Sequence, residues 1–296
     1  MSLTSHLESS PLTPIGQFFR DHFFNTRGIV ASANKYFSNF PTILPEHQDY
    51  GTVGTAIDYR IRYYFDVTPS DKFVAYTGLS MLMPVIPHAS DSLDTNHLFF
   101  SQLDAFIAKI QPAKRKLELE AEHDLARYCY ILALFEQVFR SSAWENSPLL
   151  QPKPIQSIDE LLAIPNESII ADISALSLLF YKTFADRLDH PAVLNPTFEG
   201  SRTVGGADAD FIMEDCLIEI KTSIHPKICA DWLRQLLGYV ILDYHDFYHI
   251  RNIGFYMARQ GAFISWPIDT ILASVTGNTS HQIDYYRQDF MRLFVE

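Results

Sequence analysis

The spacing of apolar residues changes near Asn195-Pro196, and this change constrains the fold more than any other feature of the sequence. Before it, the spacing is helical. Leu103, Phe106, Ile107 and Ile110 form one stripe, and Leu125, Tyr128, Ile131, Leu132, Phe135, Val138 and Phe139 form a second. Pro148, Pro152 and Pro154 interrupt the pattern, which resumes with Ile169, Ile173, Leu176, Leu179, Phe180 and Phe184. Such stripes mark helices that bury one face, so residues 97–188 read as packed helices. Beyond Asn195-Pro196, alternation of period two over residues 208–213, 216–222, 253–258 and 262–266 predicts four short strands. A helix over residues 231–242 separates the second from the third, and Arg259-Gln260-Gly261 turns the third into the fourth. A last helix spans roughly residues 280–294.

A chain of 296 residues that is 47% hydrophobic, with 22 Phe and 15 Tyr, can bury a sizeable core. Residues 1–15 are rich in Ser, Thr and Pro and are expected to be disordered. The remainder, residues 16–296, reads as a single domain with a helical insertion at about 66–190 and a sheet region at about 195–296. Ile57, Ile61, Tyr64 and Phe65 follow a glycine-rich entry at helical spacing, so residues 51–65 should be a helix packed on that sheet. The net charge of −12 weighs against a protein that coats duplex nucleic acid, since phosphate binding depends on Lys and Arg. A local basic channel is still possible from Lys114-Arg115-Lys116, Arg60, Arg62, Lys227 and Arg234, each read first as part of a solvated helix face. Cys129, Cys216 and Cys229 lack the spacing of a zinc site or disulfide framework and read as buried thiols in a reducing compartment. No charged-then-apolar leader opens the chain, and no apolar run nears the roughly 20 residues that span a bilayer, so a cytoplasmic location without membrane contact is expected.

The chemistry concentrates in one hairpin. If Glu214-Asp215 is a two-residue turn, Asp210 lies opposite Glu219 and Asp208 opposite Lys221. One face then presents Ala209, Phe211, Met213, Cys216, Ile218 and Ile220 to the core. The other carries Asp208, Asp210, Glu219 and Lys221 beside Ile212 and Leu217, and should face solvent. Carboxylates opposite one another in a sheet sit about 5 Å apart at Cβ and repel unless a cation lies between them. Magnesium or manganese would relieve that repulsion, and Lys221 would reach a metal-bound water or a phosphoryl oxygen. Gln235 and Tyr239 stand four residues apart on the next helix, hence on one face, where an amide and a phenol could orient a reacting group. Each feature also has a plainer reading, as the wet side of a hairpin or an amphipathic packing face.

The stretch GGADADFIMEDCLIEIKTS, followed by DWLRQLLGYVIL, resembles the PD-(D/E)XK nuclease superfamily, especially its RecB-like branch with a Gln-xxx-Tyr motif. The resemblance covers about a third of the chain. It implies Asp210 and Glu219 as metal ligands, Lys221 as the catalytic lysine, the Ile220 carbonyl as a further ligand, and Gln235 with Tyr239 as the flanking helix motif. The proline that names the motif is absent, Ala209 standing before Asp210, and Asp208 competes for the acid's role. Asp210 is preferred because it pairs with Glu219. Gly54-Thr55-Ala56-Ile57-Asp58 is similar to the entry of the branch's first motif, which would make Asp58 an extra ligand, against its reading as an ordinary helix-surface Asp.

The resemblance implies an α/β fold, a restriction-endonuclease-like sandwich whose central mixed sheet of four or five strands is flanked by helices, plus a long helical insertion. It implies a Mg2+- or Mn2+-dependent hydrolase, a deoxyribonuclease, with DNA the favoured nucleic-acid partner. Two alternatives remain: an inactive relative that keeps the fold and binds nucleic acid or protein, and a helical interaction protein in which the hairpin is incidental. His245 and His249 have metal-ligand spacing but no catalytic Glu between them, and Gly205-Gly206 lacks the Lys-Ser/Thr of a phosphate-binding loop.

Overall fold

The computed structural model describes residues 1–9, 11–66, 72–82, 89–140, 147–150, 155 and 157–294, with the backbone alone for residues 82 and 89–97. Pro152 and Pro154, read above as helix breakers, lie outside the described residues. In chain order the helices are α1 (Leu3–Glu8), α2 (Pro14–His22), α3 (Arg27–Phe37), α4 (Tyr50–Phe65), α5 (Val74–Leu82), α6 (Ala89–Ile110), α7 (Leu119–Arg140), α8 (Ile158–Leu162) and α9 (Glu167–Phe184). Strands β1 (Ala192–Leu194), β2 (Phe211–Met213) and β3 (Cys216–Lys221) follow, then α10 (Ala230–Leu242), β4 (Asn252–Met257), β5 (Ala262–Pro267), α11 (Ile268–Thr276) and α12 (Ile283–Arg292). The class is α/β with a five-stranded mixed open sheet.

The chain divides into two compact units, Met1–Thr42 with His190–Glu296, and Ile43–Asp189. The boundary falls well before residue 66, so α4 belongs to the helical unit. There α4 packs on α7 and α9, and α7 on α5 and α9. Helix α7 is buried nearly all round, from Leu125 through Val138. Arg60, fully buried, forks onto both oxygens of Glu122 at 2.7 and 2.8 Å and lies over the Tyr64 ring, while Tyr59 donates to Glu136. Buried charges persist when paired in this way. The stretch Glu167–Arg187 is long and apolar enough by length and composition to cross a membrane, yet half of its apolar window is buried. A core helix passes the same test.

In the other unit the strand order is β1-β2-β3-β4-β5, antiparallel except for the parallel pair β3–β4. The hairpin has the expected register, Phe211 facing Ile218, Ile212 facing Leu217 and Met213 facing Cys216. Glu214 takes the left-handed φ of 56° that the tight turn requires. A parallel pair cannot close by a hairpin, so the chain must cross over between β3 and β4, and α10 is that crossover. Its Leu233, Leu236, Leu237, Val240 and Ile241 join Ile212, Leu217, Ile253, Phe255 and Met257 of the strands in one core.

Where composition suggests disorder over residues 1–15, the described residues include α1 and the start of α2. Ser2 caps α1, and Leu3 and Leu7, four apart and each 1% exposed, bury against α10. Gly238 makes room, since a Cβ there would lie 2.8 Å from Leu3 Cδ2. The Leu3 N–H also donates to the Gly206 carbonyl. Two apolar residues at helical spacing thus outweigh a polar composition.

Asp246 ties three elements together after α10. It accepts from Arg251 at 2.6 and 3.0 Å and from Arg287 at 3.1 Å, and Arg287, 3% exposed, also donates to the Val240 carbonyl at the end of α10. The hydrogen bond from Arg251 leads the effects that hold its carboxyl below the usual range, and Arg287 adds to it. Asp246→Asn should lower stability at neutral pH by roughly 1–3 kcal/mol. Because the folded-state pKa is depressed, that stability is complete above the unfolded value of 3.8 and drains as pH falls below it. Urea midpoints of wild type and variant should therefore converge on acidification. A gap that stays constant down to strongly acidic pH would refute this role.

Candidate active site

Strand β2 begins at Phe211, one residue after Asp210, so the Ile220 N–H has no strand partner on that side. The Asp210 carboxylate takes its place, accepting from the Ile220 N–H at 2.5 Å. Along a strand the backbone groups of successive residues point to opposite sides. The Lys221 carbonyl accepts from Ala258 N–H on the β4 side, so the Ile220 carbonyl points toward Asp210. Asp210, Glu219 and Ile220 are thereby gathered where the hairpin opens.

Glu219 is 6% exposed. Its Oε1 accepts from Lys221 Nζ at 3.0 Å, while its Oε2 is buried with no hydrogen-bond partner. Lys221 Nζ reaches Gln235 Oε1 at 3.3 Å and lies 4.8 Å from the Trp232 ring centroid. Burial pulls the Lys221 ammonium toward neutrality, but the negative charges of Glu219 and Asp210 outweigh it and leave the pKa above the ordinary value. Lys221 is therefore a fixed cation and not a proton acceptor at neutral pH. Gln235 Nε2 donates to Tyr239 Oη at 2.8 Å and to Thr4 Oγ1 at 2.9 Å. Burial, followed by the charges of Glu219 and Asp210, pushes the Tyr239 phenol far up, so it keeps its proton. A phenol that accepts one hydrogen bond still has a proton to donate.

The hairpin and α10 thus bring together Asp210, Glu219, Lys221, Gln235 and Tyr239. The direction of the faces differs from expectation. Glu219 and Lys221 lie toward α10 in a buried setting, and Phe211, Met213 and Ile218 on the opposite side are buried as well. Both faces are covered, so the polar one is no wet side. Asp208 is exposed and pairs with Thr197 in an isolated bridge. Asp58 lies on α4 in the helical unit, where Arg62 one turn later donates to its carboxylate. Among the described residues no three His, Cys, Asp or Glu are grouped to hold a metal ion. His245 pairs with Glu199 and His249 with Asp246, so those two do not converge. Arg60, Arg62 and Arg234 are buried, not solvated, and of the cysteines only Cys129 is buried, Cys229 being exposed.

Two neighbours of the site escaped the sequence reading. Trp232, three residues before Gln235, could have been found from helical spacing alone. Thr4 gave no such signal, because its contact with Gln235 spans most of the chain.

No family model matches the chain, and no curated protein or solved structure shows significant similarity to it.

Thr4 accepts one of the two N–H bonds of a side-chain amide that is 7% exposed, so Thr4→Val should leave that donor unpaired and cost about 1–3 kcal/mol. Thr4→Ser should recover most of the loss. An unchanged urea midpoint in Thr4→Val would mean that α1 does not dock on α10 in solution.

Proposed function

We propose that this chain is a divalent-metal-dependent nuclease that hydrolyses phosphodiester bonds of DNA, built on a restriction-endonuclease-like core of mixed sheet and flanking helices. The observation that carries this reading is the state of Glu219. A buried carboxylate with one oxygen on Lys221 and the other without a partner is costly, unless the second oxygen is meant for a cation. The donor set fits magnesium or manganese, which take hard oxygen ligands and commonly need only one or two carboxylates, with water completing the shell. Asp210, Glu219 and the Ile220 carbonyl would hold the ion, which when bound supplies charge neutralisation at the phosphate and an acidified water.

The chain's own groups divide the remaining work. Lys221, protonated throughout, donates to a phosphoryl oxygen and offsets charge that grows there in the transition state. Gln235 fixes the ammonium by accepting from it, and can do so only while its Nε2 is turned to Thr4 and Tyr239. Tyr239 stays a phenol and can give its proton to an anionic oxygen.

Magnesium- or manganese-stimulated cleavage of single- and double-stranded DNA tests the proposal directly. Lys221→Ala should lower turnover at least about 100-fold at an unchanged metal requirement, as expected for loss of one transition-state donor. Turnover above a tenth of wild type, or no metal-stimulated cleavage by wild type, would overturn it. Asp58→Asn tests the further ligand that the resemblance implies: a raised metal midpoint of cleavage would support it, and an unchanged midpoint would remove Asp58 from the ligand set.

A further inference from the structure

Beside the hairpin lies a second feature that the catalytic groups do not use. A cleft of about 1030 Å3 is lined by residues of the loop before β2 and the loop after α10, among them Phe198, Arg202, Asp208, Phe247 and Tyr248. Its size suits a nucleotide-sized group. Four aromatic rings run from the active site to its rim. Tyr239 stacks on Phe198 at 5.7 Å and 20°, Phe198 meets Tyr248 edge-on at 5.6 Å, and Tyr248 meets Phe247 edge-on at 4.9 Å. Phe247 ends the run with 72% of its surface exposed.

The backbone that carries that exposed ring is tied down. The backbone N–H groups of Phe247 and Tyr248 donate to the two oxygens of Asp243, itself 1% exposed, and Tyr248 Oη donates to the Thr197 carbonyl. The acidic groups of the wall are mostly committed. Asp243 serves these backbone groups and Glu199 faces His245, which leaves exposed Asp208 and exposed Arg202 toward the cleft. An exposed aromatic face, a carboxylate that can accept from base N–H groups and a guanidinium that can take a phosphate form a set matched to one nucleotide unit.

We propose that this cleft holds an unpaired nucleotide of the substrate strand, its base stacked on Phe247 and facing Asp208, its phosphate at Arg202, so that the chain acts on single-stranded nucleic acid. The proposal rests on the nuclease reading for what the strand then meets, since Asp208 lies two residues from Asp210. A base can lie flat on Phe247 only when it is out of a duplex, because paired bases present edges and not faces.

The test is fluorescence anisotropy in chelator with a labelled oligothymidylate, its RNA counterpart and a duplex of the same length, alongside manganese-dependent cleavage of the same strands. Phe247→Ala should weaken single-strand binding about tenfold and leave duplex binding unchanged, whereas Phe247→Tyr should stay within about twofold of wild type. Arg202→Ala should weaken both and flatten the salt dependence, as loss of one phosphate contact does. Equal affinity of wild type and Phe247→Ala for the single strand, a preference for duplex, or no binding at all would overturn the proposal. Cleavage that persists in a Phe247→Ala variant binding and cutting like wild type would remove the cleft and spare the nuclease reading. Stacking behaviour as expected with no cleavage in manganese would do the reverse. The DNA and RNA arms identify the sugar.

Discussion

Lys221 and Glu219 form an ion pair 3.0 Å long on a strand whose two faces are both covered, and the surroundings of β3 are arranged to hold it. Withdrawing two charges from water costs several kcal/mol per ion, which Coulomb attraction alone does not reliably recover. The remainder comes from fixed neighbours: Gln235 accepting from the ammonium, Trp232 presenting its ring to it, and Asp210 adding a second negative charge nearby. Glu219 keeps one unsatisfied oxygen even so. Stability by itself would favour an apolar replacement at these positions, and the proposed metal-binding role would account for the pair.

The placement of α10 follows from the topology. Strands β3 and β4 are parallel, so the chain must leave the end of β3 just beyond Lys221 and return along the sheet, and the crossover helix necessarily passes over that end. Its Gln235 and Tyr239 therefore meet the polar end of the strand, while Gly238 turns toward α1 and lets Leu3 approach. Burial of α1 in turn brings Thr4 to the Gln235 amide. A chain of short-range constraints links the first residues to the middle of the site.

What was legible in the sequence was local. The hairpin register follows from a two-residue turn and period-two alternation, and the placement of Gln235 and Tyr239 on one helix face follows from their spacing. Strand β1 was missed because three residues between Pro191 and Asn195 are too few to show a period. Helix α11 starts directly after Pro267 and runs on from β5 without a loop, so no punctuation marks it off. The N-terminal helix was hidden by its Ser- and Thr-rich composition, and the covering of the polar face could not be read because it depends on the crossover, a non-local property. Likewise Arg60 and Arg62 look like surface charges by composition, and only the fold shows their carboxylate partners.

The central claim is that the unpartnered Glu219 oxygen belongs to a divalent cation. Thermal unfolding followed across a manganese titration tests it without reference to any substrate, since an ion that binds only the folded state raises Tm as its concentration passes Kd. Wild type should gain Tm progressively with manganese while Glu219→Gln stays flat. A wild-type Tm that manganese leaves unchanged, or an equal gain in Glu219→Gln, would contradict the account.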